Sequence, residues 1–517
     1  MSLLSICSLF VTHRRGKSGA NAGHLVLHSG IDRMRKYSWL PFLAIYMLAV
    51  LVGITTTKSP QPITASEVVK KAEAERLATI RKVKQASVCV FVKEGNNILG
   101  GGSGVLIDKD GYCLTNYHVV AGQGFTGFRP TFVCSLPNGQ MYDAVTVGTD
   151  KVGDVALIKL FPNKEGEEFP FVEMCDSDQI RPGEWSIIIG NPSLLATDFD
   201  PSISFGLISG VNRYRDFGFA EHTDALQYDT AANKGNSGGP IFNLKGELMG
   251  LVFGGNSVKR GSMNNGVGYG IPVNKIKNFL GHLRSGNACD HATLGATVAS
   301  EGNDEAELPK MLVNAVMDDS DAARRGIGEG DLLLSFAGRP LLNANTFKSA
   351  LGIYPKEWRL PITFQKGKTR KETLVRLMSY TPQEVSPGPK KGPLAPPPKA
   401  FGKGAQFFEA KPGFVNYYFN RQERDRLLAG SRKLADMREA KGDWLMVGTY
   451  ASEARNGDFS AKIFLEDDKY AATLQMGLTD YKVVPAIPNQ SIEDISESPF
   501  SGGLAMSLLY YRRFLTK

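Results

Sequence analysis

Gly235-Asn236-Ser237-Gly238-Gly239-Pro240 is the stretch that decides how this chain folds. Glycine on both sides of a serine lets the backbone turn sharply and approach a bound carbonyl closely. It also lets the amide N–H groups of Gly235, Asn236 and Ser237 point at the place where an oxyanion would develop. A serine hydroxyl alone is a weak nucleophile. It needs a base to take its proton and a carboxylate to orient that base. Both stand upstream. Gly111-Tyr112-Cys113-Leu114-Thr115-Asn116-Tyr117-His118 reads as a glycine turn leading into a half-apolar strand that ends in a histidine, and Gly153-Asp154-Val155-Ala156-Leu157-Ile158 places a carboxylate at the mouth of the next strand. The order His, Asp, Ser differs from that of subtilisins and of α/β-hydrolases. Singly, each motif also reads as an ordinary turn or strand end; the ordered set is what carries the reading.

Residues of roughly 80 to 380 resemble the HtrA (Deg) family of trypsin-like serine endoproteases with a PDZ domain. The resemblance rests on Gly101-Gly102-Ser103-Gly104-Val105-Leu106-Ile107-Asp108, Thr115-Asn116-Tyr117-His118-Val119 and Asp154-Val155-Ala156-Leu157-Ile158-Lys159. It continues through Ile189-Gly190-Asn191-Pro192, Gly206-Leu207-Ile208-Ser209-Gly210, the stretch Gly235 to Pro240, and Gly270-Ile271-Pro272-Val273. It implies a mainly β fold: a chymotrypsin-like double β-barrel protease, followed by an α+β PDZ-like domain and a small C-terminal accessory domain. By the same resemblance His118 is the general base, Asp154 holds its imidazole, Ser237 attacks the scissile carbonyl, and no cofactor or metal is needed. The base of the primary specificity pocket falls at Ala231 and Ala232. With no carboxylate there to pair with Lys or Arg, cleavage after small aliphatic residues is expected. Asn236 replaces the aspartate that pairs with a new N-terminus in digestive relatives, so control by loop ordering is expected instead. Lys234 replaces the family's usual proline, and Ser193 to Pro201 replaces a short glycine-rich stretch, read either as a lineage insertion or as a loop gating the cleft.

Seven segments follow. Residues 1–36 form a polar tail. Residues 37–57 are uncharged and apolar, long enough as a helix for a bilayer, with Arg33, Arg35 and Lys36 before them. An uncleaved anchor and a cleaved signal peptide starting at Met34 are both readings of this segment, and either exports the rest to the periplasm or another exported compartment. Residues 58–84 form a helical connector, which in the family contributes to trimer contacts. The protease spans 85–288. The PDZ-like domain spans 289–380, with Leu294, Gly295, Ala296, Thr297 and Val298 where the family places its carboxylate-binding loop, and Thr346 and Phe347 opening the flanking helix. C-terminal peptides are its expected ligands, and packing on the protease alone is the other reading.

Residues 381–405 hold seven prolines among lysines and glycines, a semi-rigid linker. In 406–517 a strand is expected over 414–419, a helix over 421–439 and strands over 444–450 and 461–465, with no constellation for chemistry. The formal net charge of +8 is modest for 517 residues, and no basic stripe interleaves with aromatics, which argues against nucleic acid. Six cysteines show no metal spacing; packing thiols and an unassigned disulfide are both open. The expected partners are therefore unfolded proteins and peptides, a membrane and further copies of the chain. A chaperone-like or scaffolding protein that binds peptides in the cleft is the alternative function.

Overall fold

The computed structural model describes residues 65–94, 97–121, 129–191, 200–216, 221–255, 266–301, 310–379 and 400–434, together with strands over 442–451, 456–466, 469–476 and 479–483. The tail, the apolar 37–57 segment, most of the proline linker and all but the end of the 193–201 loop lie outside these residues. Among the described residues no helix is long and apolar enough to cross a membrane.

Two closed barrels form the region over 87–272. The first takes β1 (Ser87–Glu94), β2 (Asn97–Leu106), β3 (Tyr112–Thr115), β4 (Thr131–Ser135), β5 (Met141–Asp150) and β6 (Val155–Leu160), in the order β1-β2-β3-β6-β5-β4. The second takes β7 (Trp185–Gly190), β8 (Ser202–Asp216), β9 (Glu221–Tyr228), β10 (Pro240–Phe242), β11 (Leu248–Gly255) and β12 (Gly268–Pro272), in the order β10-β11-β12-β9-β8-β7. Closure pairs every strand on both sides and removes exposed edges. The period-2 pattern of β1 shows how sequence selects the inside: Val88, Val90 and Val92 enter the main core, while Cys89 and Phe91 pack outside it with Met141. The expected chymotrypsin-like double barrel is thus what forms.

Helix α1 (Ala65–Lys84) closes on the protease at its C-terminal end, where Thr79 Oγ1 donates to the Leu244 carbonyl at 3.0 Å and Val83 is buried in the first core. The single turn α2 (Tyr117–Val120) follows β3, and α3 (Val273–Arg284) follows β12, placing Val273, Ile276 and Leu283 in the main core, to which strands of both barrels contribute.

The segment after α3 has its own core. β13 (Ala292–Thr293), β14 (Ala296–Glu301), β15 (Lys310–Val316), α4 (Asp321–Arg324), β16 (Leu332–Phe336), β17 (Arg339–Pro340), α5 (Ala344–Leu351), β18 (Arg359–Lys366), β19 (Thr369–Arg376) and β20 (Met378–Ser379) surround Leu294, Val313, Phe336, Phe347, Ile362 and Phe364. The main sheet runs β14-β15-β16-β18-β19, which leaves β14 at its edge. Helix α5 is started by a capping box between Asn343 and Thr346. It faces the second barrel, where Ser349 Oγ lies 3.4 Å from the Asn212 carbonyl, and Arg339 bonds Asp224 and Asp178, each at 2.8 Å.

The C-terminal region departs from expectation. Residues 414–419 are not a strand: Asn416 Oδ1 accepts from the Tyr418 amide at 3.2 Å and caps α6 (Tyr417–Leu434), which therefore begins earlier than the expected 421. Residues 401–419 lie on the first barrel: Phe407 stacks on Phe161 at 4.3 Å, Phe419 enters the main core, and the buried Asn416 Nδ2 donates to the Thr146 carbonyl at 2.9 Å. An aromatic-rich run reads as strand when its tertiary partners are unseen. Beyond it, β21 (Gly442–Ala451), β22 (Asn456–Glu466), β23 (Lys469–Met476) and β24 (Thr479–Val483) form an antiparallel meander that includes both expected strands.

Candidate active site

His118 stands on α2 rather than at the end of β3 as expected, because Asn116 breaks the strand and the chain turns once before entering the core. Asp154 stands immediately before β6. The two meet: His118 Nδ1 lies 2.8 Å from Asp154 Oδ2, and the His118 backbone N–H donates to Asp154 Oδ1 at 2.9 Å. The Asp154 carbonyl in turn accepts from Asn116 Nδ2 at 2.9 Å and from the Tyr117 amide at 3.2 Å. Asp154 is 1% exposed and sits at φ +56°, a left-handed conformation that an L side chain holds only when its surroundings impose it. Burial pulls the His118 pKa down most strongly, but the charge of Asp154 and its hydrogen bond together outweigh that, and the imidazole ends above its ordinary 6.5. A carboxylate on Nδ1 fixes the neutral ring as the Nδ1–H tautomer and leaves Nε2 as the basic nitrogen.

Ser237 stands in the turn before β10. Its hydroxyl donates to the Phe253 carbonyl at 3.2 Å, and it makes no hydrogen bond to His118. The amides of Gly235 and Ser237 have no hydrogen-bond acceptor among the described residues, whereas the Asn236 N–H donates to the Asn233 carbonyl at 3.0 Å. Of the three amides expected to receive an oxyanion, that of Asn236 closes the turn itself and those of Gly235 and Ser237 stay open. Gly238, at φ +80°, must be glycine: a Cβ there would collide with the Ser103 carbonyl and the Thr115 hydroxyl.

Ser103 holds this loop, a role that the reading of the glycine-rich motif around it did not assign. Its Oγ donates to the Gly235 carbonyl at 2.7 Å and accepts from the Asn191 amide at 2.9 Å, while its own N–H donates to the Ser237 carbonyl at 2.9 Å. The Phe253 ring is a second addition, edge-on to His118 at 6.1 Å between centroids and against His222 at 3.6 Å. Burial, then the charges of Lys275 and His118, push the His222 pKa well down, so that ring stays neutral beside His118. No sequence signal distinguished Phe253 or His222, since each reaches the site through barrel closure.

Ala231 is exposed, and Ala232 is buried in the second barrel's core with Tyr228, Ile188 and Val252. In the PDZ-like segment, Leu294 is fully buried and Gly295, at φ +73°, donates its N–H to Thr293 Oγ1 at 3.2 Å. Ala296, Thr297 and Val298 lie in β14, paired with β15. Thr346 and Phe347 lie in the first turns of α5, with Phe347 buried in the domain core. Helix α5 does run beside β14, where the Ala344 amide donates to Ser300 Oγ at 2.9 Å. Among the described residues no group of three or more His, Cys, Asp or Glu could hold a metal ion, and the cysteines at 89, 113, 134, 175 and 289 are free thiols.

Residues 102–251 match the family described as trypsin-like peptidase domain. The chain is 33% identical over 257 residues to a probable periplasmic serine endoprotease DegP-like of Marinomonas sp. (strain MWYL1), covering 48% of this chain and 51% of that protein. It is 31% identical over 293 residues to the putative serine protease HhoB of Synechocystis sp., covering 54% and 66%. Among solved structures it is similar to the HtrA-type protease AlgW with tripeptide, at 24% identity and a TM-score of 0.47, over 60% of this chain and 99% of that one. The chain spans about half the length of the DegP-like relatives it matches. Residues 102–251 thus match a trypsin-like peptidase domain, and the chain is similar there to DegP-like serine endoproteases.

Proposed function

We propose that the protein is an exported serine endopeptidase that hydrolyses peptide bonds of unfolded or damaged proteins through Ser237, His118 and Asp154. The observation that carries this reading is the 2.8 Å contact between His118 Nδ1 and Asp154 Oδ2 beside a serine loop with two uncommitted amides. Rotation of Ser237 about χ1 brings its Oγ from the Phe253 carbonyl toward Nε2 of His118, which takes the proton as Oγ adds to the scissile carbonyl. The Gly235 and Ser237 amides receive the oxyanion, and His118 returns the proton to the leaving amine. Water repeats the sequence on the acyl-enzyme. The resting bond of Ser237 to Phe253 suits an enzyme that awaits substrate or loop ordering, since catalytic hydrogen bonds often tighten only in the complex.

The apolar surroundings of Ala232 support a small aliphatic residue on the acyl side of the cut. Peptide C-termini adding along β14, an N-terminal membrane anchor over 37–57 and assembly into trimers complete the proposal. The second reading, a peptide-binding chaperone or scaffold, draws on the Ser237 hydroxyl being turned from His118. Hydrolysis of unfolded casein by the full chain separates the two. Ser237→Ala is expected to lower the rate by about four orders of magnitude; equal hydrolysis by the variant would remove the peptidase reading.

A further inference from the structure

A second Asp–His pair stands behind the hairpin that carries Asp154, and no step of the chemistry uses it. β5 ends at Asp150, and the turn from there to Val155 delivers Asp154. Asp150 Oδ1 accepts the Gly153 N–H at 2.8 Å, and its two oxygens lie 2.8 and 2.9 Å from His291 Nε2. Both side chains are buried, Asp150 at 1% and His291 at 5% exposure. Gly153 has no room for a side chain, because a Cβ would overlap the Asp150 carboxylate. The residue after this pinched turn is Asp154 at its left-handed φ. Strain of that kind persists only where neighbouring structure over-determines it.

His291 belongs to the connector between α3 and the PDZ-like sheet, and that connector is laid along β5. The Thr149 amide donates to the Asn287 carbonyl at 3.2 Å, and the Cys289 amide donates to the Thr149 carbonyl at 2.8 Å. Phe279 of α3 stacks on the His291 ring at 4.4 Å. From the far side the Val415 and Asn416 amides donate to the Gly286 carbonyl at 2.9 and 3.1 Å. Burial alone would raise the Asp150 pKa; the charge and hydrogen bond of His291, with Lys275 and the Gly153 amide, outweigh it and hold the group below its ordinary 3.8.

We propose that Asp150 and His291 are positioning residues for the peptidase reaction: the pair locks the turn over 151–154 so that the Asp154 carboxylate faces His118. Asp150 reaches Asp154 through the Gly153 amide, and His291 holds Asp150 from the connector to the PDZ-like domain. The inference rests on the peptidase reading, and its test is built to separate the two.

In the full chain, His291→Ala is compared with His291→Gln, which returns a donor to the Nε2 position, and with Asp150→Asn. Four quantities are read: kcat and KM on a peptide substrate, the rate of Ser237 modification by a fluorophosphonate, the acid limb of kcat/KM, and the unfolding midpoint. His291→Ala and Asp150→Asn are expected to lower kcat and the fluorophosphonate rate about tenfold to a hundredfold at unchanged KM, the scale of a small misplacement in a catalytic array. The acid limb should move to lower pH, because His118 loses the carboxylate that raises it. His291→Gln should recover most of the rate. Variants that unfold at lower temperature but keep wild-type kcat, fluorophosphonate rate and acid limb would overturn the inference. A wild-type chain inert to the fluorophosphonate would overturn the peptidase reading itself.

Discussion

The β5–β6 hairpin holds two aspartates, each bonded to a histidine at 2.8 Å, and the pairs differ in what surrounds them. In the first, the His118 side chain is 25% exposed over a 2% exposed Asp154; in the second, His291 and Asp150 are 5% and 1% exposed. The more open ring is the one that would exchange a proton with substrate in the proposed reaction. The closed ring is stacked on Phe279 and can only hold. Identical chemistry thus serves reaction or scaffolding according to whether solvent and substrate can reach the second nitrogen.

The sharpest way to break the comparison is to neutralise each carboxylate in turn. Asp154→Asn should lower kcat by about four orders of magnitude, since an amide favours the wrong imidazole tautomer. It should also move the acid limb of kcat/KM downward: His118 must be neutral to act, its pKa lies above 6.5 in the wild type, and removing the Asp154 charge leaves burial to lower it. A wild-type acid limb below that value would contradict the pairing. For the closed pair the larger effect falls on stability. His291→Ala strands a buried anion and should cost about 3–5 kcal/mol in urea unfolding. With a native pKa below 3.8, Asp150 contributes stability above its unfolded pKa and loses it as pH falls through the lower folded value. An unchanged unfolding midpoint in His291→Ala would show that the pair is not holding the hairpin.

The smallest effect is expected further out, where Asn416 ties the C-terminal segment to β5 through the Thr146 carbonyl. Asn416→Ala should lose about 1–3 kcal/mol, the usual penalty for orphaned buried polar groups. A loss confined to the meander, with the barrels unaffected, would show that the segment is a passenger. Measuring amide exchange in β5 distinguishes these.

Legibility followed locality. The proposed nucleophile turn, the histidine and the carboxylate each sit in short glycine-punctuated motifs, and the alternating apolar run of β1 states its inward face outright. One miss shows the limit. The strand expected over 414–419 is a capped helix start. That depended on which distant groups claim the ring and amide donors of this run, and the local pattern is silent on that. Ser103 lay within a motif already singled out, yet its role appears only when the second barrel brings Gly235 against β2.

The sequence by itself determined the order of the three chemical groups and several strands, because turn chemistry and periodicity act within a few residues; the two-barrel class was implied only by the family resemblance. Tertiary structure alone decided that His118 meets Asp154, that Ser237 rests on Phe253, and that His291 meets Asp150 from 141 residues away. Those contacts are made by barrel closure and by the connector laid along β5, and the free energy that selects them comes from burying whole strands rather than from any local preference.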